Sequence, residues 1–354
     1  MKYDLFKPFI PKDDILTELS ETLNGRWIGQ AHKVEAFEKM FADKFGYKHC
    51  LFMNSCTAGL EIIYHLLDIR EGDEVIVPVA DCTAGQMGLM RRGAKIIFSD
   101  IDENLMLKID EAQITDKTKA IVGVNLGGIE VGEEVFQVAD KCNLPVIIDS
   151  AQHLGETKGD YIVYSFQAIK HITTGDGGML VLRNKAEYDR AKKLRWFGID
   201  REVKARKNWQ AWEKREMTFD IEEAGYKYQP TDIDACFGLA AIKHVDRIVA
   251  ERQALVQLYK SRLRGIRTIA GGTCWLFGIV VNNRDEVAEY LKTHGIETNL
   301  VHLRNDIFSI FGGRRLDLPN MNHLESKYLY LPLHNGLSKE DVEFISSKVM
   351  EVVR

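Results

Sequence analysis

DYIVYSFQAIKHITTGDGGMLVL, residues 160–182, holds two short apolar runs joined by a glycine-rich connection. Asp160 to Phe166 and Gly178 to Leu182 are apolar runs too short for typical helices, the first rich in β-branched and aromatic residues, so they read as strands. The same pattern recurs upstream. Glu74 to Pro78 (EVIVP), Ala94 to Phe98 (AKIIF), Ala120 to Val124 (AIVGV) and Pro145 to Asp149 (PVIID) are near-continuous apolar runs, several of them closed by a proline or a polar residue. Helical spacing fills other stretches, at Val34 to Phe45 and Thr57 to Leu67. Short apolar strands separated by helices predict an α/β fold with a largely parallel sheet buried on both faces. Ligands in such folds sit beyond the carboxyl ends of the strands, which gives Asp149 and Ser165 a structural reason to be in a site.

Beyond residue 245 the pattern changes. A strong helical period runs from Val245 through Leu263, followed by strands at Trp275 to Val281 and Tyr328 to Leu331 and helices at Arg284 to His294 and Lys339 to Val353. This predicts a large domain over residues 1–244, N-terminal segment included, and a smaller α+β domain over 245–354. Residues 200–222 are highly charged, carry two tryptophans and lack a clean period, which suits a lid or a helix with a solvated face.

The chain has 354 residues, 47 basic and 52 acidic, with a net charge of -5. That balance favours neither nucleic acid nor an anionic membrane as a general partner. Arg314-Arg315 is a local exception that suits a phosphate or, more simply, a solvated surface pair. Six cysteines without CxxC spacing argue against a disulfide framework and a zinc site, and read as buried free thiols in a reducing compartment. Met1 to Pro11 lacks the apolar segment of a signal peptide, and no apolar run reaches the length of a membrane span, so the expected location is cytoplasmic.

Lys170 stands just past a strand end, before three glycines in four residues. Amine chemistry on a carbonyl needs such a lysine, made partly neutral by burial or by nearby charge; alone, it is equally an ordinary loop lysine. Ser55, Cys56, Thr57 and Ala58 open a predicted helix. Ser and Thr there serve as caps, and the same geometry offers free N–H groups to a phosphate. Asp149 is either a capping residue or, if the ligand is a pyridine, the carboxylate that keeps its ring nitrogen protonated.

In order and spacing, Val34-Glu35-Ala36-Phe37-Glu38, Ser55-Cys56-Thr57-Ala58, Gly72 to Pro78, Asp149-Ser150-Ala151-Gln152, SFQAIK with GDGG, and Gly225 to Ile233 resemble the DegT/DnrJ/EryC1/StrS family of sugar aminotransferases from about Gly25 to Leu337. The resemblance implies fold type I, aspartate aminotransferase-like, and pyridoxal 5′-phosphate as cofactor, with pyridoxamine 5′-phosphate as its intermediate form. It implies that Lys170 carries the cofactor and moves the proton, that Asp149 meets the pyridine nitrogen and that Gln152 meets the ring hydroxyl. Ser55, Cys56, Thr57, Ala58 and Ser165 would surround the phosphate. It also implies a homodimer with shared sites, in which Lys227 reaches the partner's phosphate. The substrates implied are L-glutamate and a nucleotide-linked keto sugar, with a lean towards C4 of a 4-keto-6-deoxyhexose. His302, Arg304 and Asn305 would face that sugar; Arg304 suits its diphosphate and equally suits a surface position. No metal is implied. Cys82 falls where the family usually stacks an aromatic side chain on the ring, and Asn125 where a histidine is common; residues 128–138 look shortened. The alternatives are a sugar dehydratase of the same fold, in which histidine replaces the lysine, and a non-catalytic regulatory member.

Overall fold

The computed structural model describes residues 1–201 and 220–353. The charged stretch at 200–222 lies almost entirely outside the described residues.

The chain begins with α1 (Lys12–Asn24) and α2 (His32–Phe45), then β1 (Cys50–Met53), α3 (Cys56–Leu66), β2 (Glu74–Pro78), α4 (Ala84–Arg91) and β3 (Lys95–Ser99). It continues through β4 (Thr118–Val124), α5 (Glu133–Cys142), β5 (Val146–Asp149), β6 (Tyr161–Ser165), β7 (Gly178–Val181) and α6 (Lys185–Leu194). After the undescribed stretch come α7 (Asp232–Ile242), α8 (Val245–Arg262), β8 (Arg267–Ile269), β9 (Phe277–Val280), α9 (Arg284–Thr293), α10 (Pro319–Leu324), β10 (Tyr328–Leu331) and α11 (Lys339–Val352).

Strands β1–β7 form one sheet in the order β1-β7-β6-β5-β4-β2-β3. Neighbours from β3 to β6 pair in parallel, while β7 runs antiparallel to both β6 and β1. Every residue of β1, β2, β5 and β7 is buried, as expected for a sheet covered on both faces. The predicted α/β fold with a mostly parallel sheet is therefore observed, and each predicted strand lies within two residues of its expected start. Strands β8–β10 form a separate antiparallel sheet in the order β10-β9-β8.

Two hydrophobic clusters accompany the two sheets. One gathers the strands of the large sheet with α2 and α3. The other gathers Val256 and Tyr259 of α8 with Phe277, Ile279, Val287, Val342 and Ile345. Tyr3 belongs to the second cluster, and its main chain pairs with Ile296.

The topology sends six strand ends to one edge. Parallel strands β2, β3, β4, β5 and β6 all end there, and β1, antiparallel to β7, ends there too. Antiparallel β7 starts there. The segments after β2, β3, β4, β5, β6 and β1 and the segment before β7 are thereby collected along a single rim.

Candidate active site

Asp149 closes β5 at that rim and is 4% exposed. Its Oδ1 accepts from the Ala151 N–H at 2.8 Å and lies 3.8 Å from the Cys56 sulfur. Its Oδ2 has no hydrogen-bond partner among the described residues. Burial raises the pKa of its carboxyl, and the charge of Lys170 works against that rise. An open oxygen on a buried carboxylate is the arrangement a protonated ring nitrogen requires.

Lys170 follows β6. Its N–H donates to the Gln167 carbonyl at 2.9 Å, closing a tight turn. The amine lies 4.0 Å from the ring centroid of Trp275. Burial lowers its pKa, while Asp149 pulls it back up. Desolvation thus moves the lysine towards the neutral form that attacks a carbonyl. Trp275 is held in place by its own N–H donating to the Gly127 carbonyl at 2.9 Å and its indole N–H donating to the Ile169 carbonyl at 3.2 Å.

The start of α3 is pressed against the β6–β7 pair. Ser165 is in register with Gly178, and a methyl group on Gly178 would sit 2.5 Å from the Cys56 nitrogen. Only glycine allows that approach. Ser55 caps α3, its Oγ accepting from the Ala58 N–H at 3.1 Å. Thr57 directs no described hydrogen bond from its hydroxyl. The rim therefore holds an eleven-residue helix N-terminus, the Thr57 and Ser165 hydroxyls, an open carboxylate and a desolvated amine. That donor set fits a phosphate at one end of a pyridine ring and a carbonyl at the other.

Gln152, 2% exposed, accepts from the Gly127 N–H at 2.8 Å and lies 2.7 Å from Nε2 of His302. With its oxygen so used, its amide nitrogen donates to the imidazole. Burial, then Lys170, pushes the His302 pKa down to about 4, so the ring is neutral and can accept. Gln152, His302 and Lys170 thus share one end of the rim.

Arg304 has a different occupation. It is 2% exposed, and its Nε and Nη2 each donate to Asp306 at 2.6 Å. Its remaining donors go to Asn322, Glu325 and the Arg315 carbonyl. Neither the diphosphate ligand nor the surface arginine describes it; it is the centre of a buried ion network. Asn305, fully buried, donates its N–H to the Val79 carbonyl at 2.7 Å. Lys227 pairs its main chain with Trp196 and accepts a bond from Asn54 of its own chain at 3.3 Å. Its amine lies 5.8 Å from the Phe197 ring. Asn125 holds the rim by donating to Ser150 at 3.1 Å and accepting from the Val131 N–H at 2.9 Å. The stretch expected to be a shortened linker turns into α5 after Gly132. Arg314 pairs with Glu325 and Arg315 with Asp317, so the dipeptide is the surface pair. None of the six cysteines forms a disulfide, but only Cys50, Cys236 and Cys274 are buried, and Cys82 is exposed at the rim. Trp275, Asp81 and Tyr64 also border this rim and were not singled out by sequence.

No group of three or more potential metal ligands occurs among the described residues. No described helix is long and apolar enough to cross a membrane.

The model of the DegT/DnrJ/EryC1/StrS aminotransferase family matches residues 10–350. The spore coat polysaccharide biosynthesis protein SpsC of Bacillus subtilis is 30% identical over 380 residues, covering 98% of this chain and 96% of that protein. The GDP-perosamine synthase of Escherichia coli O157:H7 is 28% identical, covering 94% of each. Among solved structures, Spr1654 from Streptococcus pneumoniae in its PMP-form matches with a TM-score of 0.90 at 26% identity over 98% of both chains. The sugar aminotransferase CalS13 from Micromonospora echinospora also gives 0.90, at 25% identity over 99% of this chain and all of that one. The chain belongs to the DegT/DnrJ/EryC1/StrS aminotransferase family and is a sugar aminotransferase dependent on pyridoxal phosphate.

Proposed function

We propose that the chain moves the amino group of L-glutamate to the C4 keto group of a nucleotide-linked 4-keto-6-deoxyhexose, as a cytoplasmic homodimer. The single observation that carries the transferase reading is the Lys170 amine, desolvated and in the same pocket as the open carboxylate of Asp149. The sugar is supported by the names of relatives, a GDP-perosamine synthase and a UDP-4-amino-4-deoxy-L-arabinose–oxoglutarate aminotransferase.

When bound, pyridoxal phosphate supplies an electron sink that makes a substrate C–H bond acidic. The protein's part is orientation and proton transfer. Lys170 would anchor the cofactor and then, once freed, hold and move the proton at its own amine in both half-reactions. Asp149 would hold the ring nitrogen in its protonated form. The α3 N-terminus with Thr57, Ala58 and Ser165 would hold the phosphate, and Lys227 would reach the partner's phosphate. Gln152 orients the ring hydroxyl, and His302 meets the sugar. The presence of lysine rather than histidine at 170 disfavours the dehydratase alternative.

Borohydride reduction of the loaded protein followed by peptide mapping tests the anchor, which should be Lys170. Lys170→Ala should keep its fold and lose transfer by at least about a thousandfold, the scale lost with a catalytic proton carrier and nucleophile. Glutamate added to loaded wild-type protein should bleach the cofactor absorption and release one 2-oxoglutarate per site. GDP-, dTDP- and UDP-linked keto sugars, offered separately, identify the acceptor. A chromophore inert to glutamate would sink the donor assignment.

A further inference from the structure

The residues on either side of Lys170 are tied to one short segment, Thr273 to Trp275, just before β9. On one side the Ile169 carbonyl accepts from the indole N–H of Trp275 at 3.2 Å. On the other, Nε2 of His171 lies 2.9 Å from the Thr273 carbonyl; a carbonyl only accepts, so this nitrogen carries the hydrogen. The segment is itself held from two directions. The Gly127 carbonyl accepts from the N–H groups of Trp275 and Leu276 at 2.9 Å and 3.1 Å. Arg252, 2% exposed on α8, donates through Nη1 to the carbonyls of Trp275 at 3.3 Å and Leu333 at 3.1 Å. Phe6 stacks on the indole, with ring centroids 5.1 Å apart.

Between those two ties the Lys170 amine lies over the indole, 4.0 Å from the ring centroid. It makes no hydrogen bond or ion pair with any described residue. Asp149 stands in the same pocket without pairing to it. A desolvated ammonium needs some other source of stabilisation, and the negative face of an indole is the best that a side-chain ring offers.

We infer that Trp275 is a positioning residue for the lysine, its indole face seating the Lys170 ammonium whenever the amine is not bonded to the cofactor. The inference rests on the reading of Lys170 as the cofactor's anchor. The seat does two things. It fixes where the freed amine waits, because the indole is bound to the main chain of Ile169 and keeps station with the lysine's own loop. It also favours the charged form, against burial, which lowers the pKa of this amine. A group that first takes a proton and then returns it works best with its pKa near the working pH, and the two opposing effects move it there. The other groups facing the amine are Asp149 from β5, Cys56 from α3, Asp81 and Cys82 after β2, His171 beside it and His302. Burial keeps both histidines neutral, so neither adds a positive charge to the seat.

The test is NMR of the full chain, with lysine labelled at the ε-carbon, loaded with pyridoxamine 5′-phosphate so that Lys170 is unbonded. The Lys170 signal is the one missing from Lys170→Ala. In wild type its ε-protons should lie upfield of those of the other lysines, because an indole face shields what sits above it. Trp275→Leu should lose that upfield position and titrate about one pH unit lower, because the ammonium has lost its seat. Trp275→Phe keeps a ring face without the indole N–H, so its midpoint should fall between the two. The acid limb of the pH profile for transfer should move with the NMR midpoint in each variant; a merely structural role would lower the rate at every pH and move neither. An unchanged midpoint in Trp275→Leu would overturn the inference. So would a wild-type Lys170 signal that lies among those of the other lysines. If Trp275→Leu does not fold, the wild-type signal and the midpoint of Trp275→Phe decide. Borohydride reduction that maps pyridoxal phosphate to a different lysine refutes the anchor reading instead, and the Lys170 signal of that protein still tests the seat.

Discussion

Gly178→Ala is the sharpest perturbation of the phosphate end. The added methyl group would lie 2.5 Å from the Cys56 nitrogen, 2.7 Å from the Ser55 carbonyl carbon and 2.8 Å from the Cys56 Cα. Carbon atoms in contact need about 3.5 Å, so roughly 1 Å of movement must be found. All three obstacles are main chain, so no side chain can turn aside. Gly178 is also tied in register to Ser165 on β6 and to Met53 on β1, so the sheet resists. The movement falls on the first turn of α3, the part proposed to grip the phosphate. Overpacking of this kind costs about 1–3 kcal/mol of stability. A phosphate hydrogen bond stretched by 1 Å is lost, at about 1.5–3 kcal/mol for a charged acceptor, which is roughly a 10- to 150-fold rise in cofactor Kd. Gly175 supplies the control. It has φ of +86° and open space around its Cβ position. Gly175→Ala should cost about 1–2 kcal/mol through backbone strain alone and leave the Kd unchanged. The assay is spectroscopic titration of cofactor-free protein with pyridoxal phosphate, beside urea unfolding. A Gly178→Ala protein that binds with the wild-type Kd would refute the placement of the phosphate at the α3 N-terminus.

Arg304→Ala leaves the fully buried Asp306 without its cation and should cost about 3–5 kcal/mol in urea unfolding. Lysine should restore only part of this, since it cannot make the bidentate pair. A raised KM for the sugar with unchanged stability would return Arg304 to the substrate site. His153, His302 and His334 all have pKa values pushed down to about 4, with burial the first cause in each. In the unfolded chain they titrate near 6.5, so between these values the unfolded state binds more protons. Stability should therefore fall as pH drops from about 6.5 to about 4, and His334→Gln should flatten that slope by about one proton. An unchanged slope in His334→Gln would show that this histidine is not held neutral.

What the sequence disclosed, and what it hid, divides along physical lines. Strands such as PVIID and EVIVP are buried on both faces, so their composition alone carries the signal. Strand β1, CLFM, has the same burial but only four residues, and only Asn54 and Ser55 separate it from α3, so it is too short a run to mark itself beside the helix. Helix α7 is apolar nearly all round, and a helix without a polar face has no period to read. At the site, Asp149 and Lys170 lie at or just past strand ends that the pattern itself reveals, and the α3 N-terminus opens a helix that the pattern also reveals. Asp81 is a lone carboxylate between Ala80 and Cys82 with no spacing to mark it. Its neighbourhood is set by a pairing of Ala80 with Arg304 across more than two hundred residues. Trp275 reads as the start of a strand. Its place beneath Lys170 depends on the carbonyl of Gly127, which has φ of +64°.

That long-range pairing also gives the Arg304 network a consequence for chemistry. Val301, immediately before His302, has φ of +61°, a strained conformation for a β-branched residue. Such a residue costs on the order of 1–3 kcal/mol and persists only where its surroundings impose it. Here they do so from both sides. Asn299 accepts from the Val301 N–H at 3.0 Å, and the Tyr328 hydroxyl donates to the His302 carbonyl at 2.9 Å. Two residues on, Arg304 pairs with Ala80, and the Asn305 N–H is bound to Val79. The buried Arg304–Asp306 pair fixes that end of the segment and the strained Val301 fixes the other, so His302 between them cannot drift from Gln152. The strain and the ion network are thus two parts of one mount. The residue that sequence alone offers as a ligand for the sugar's diphosphate instead holds the histidine that faces Lys170.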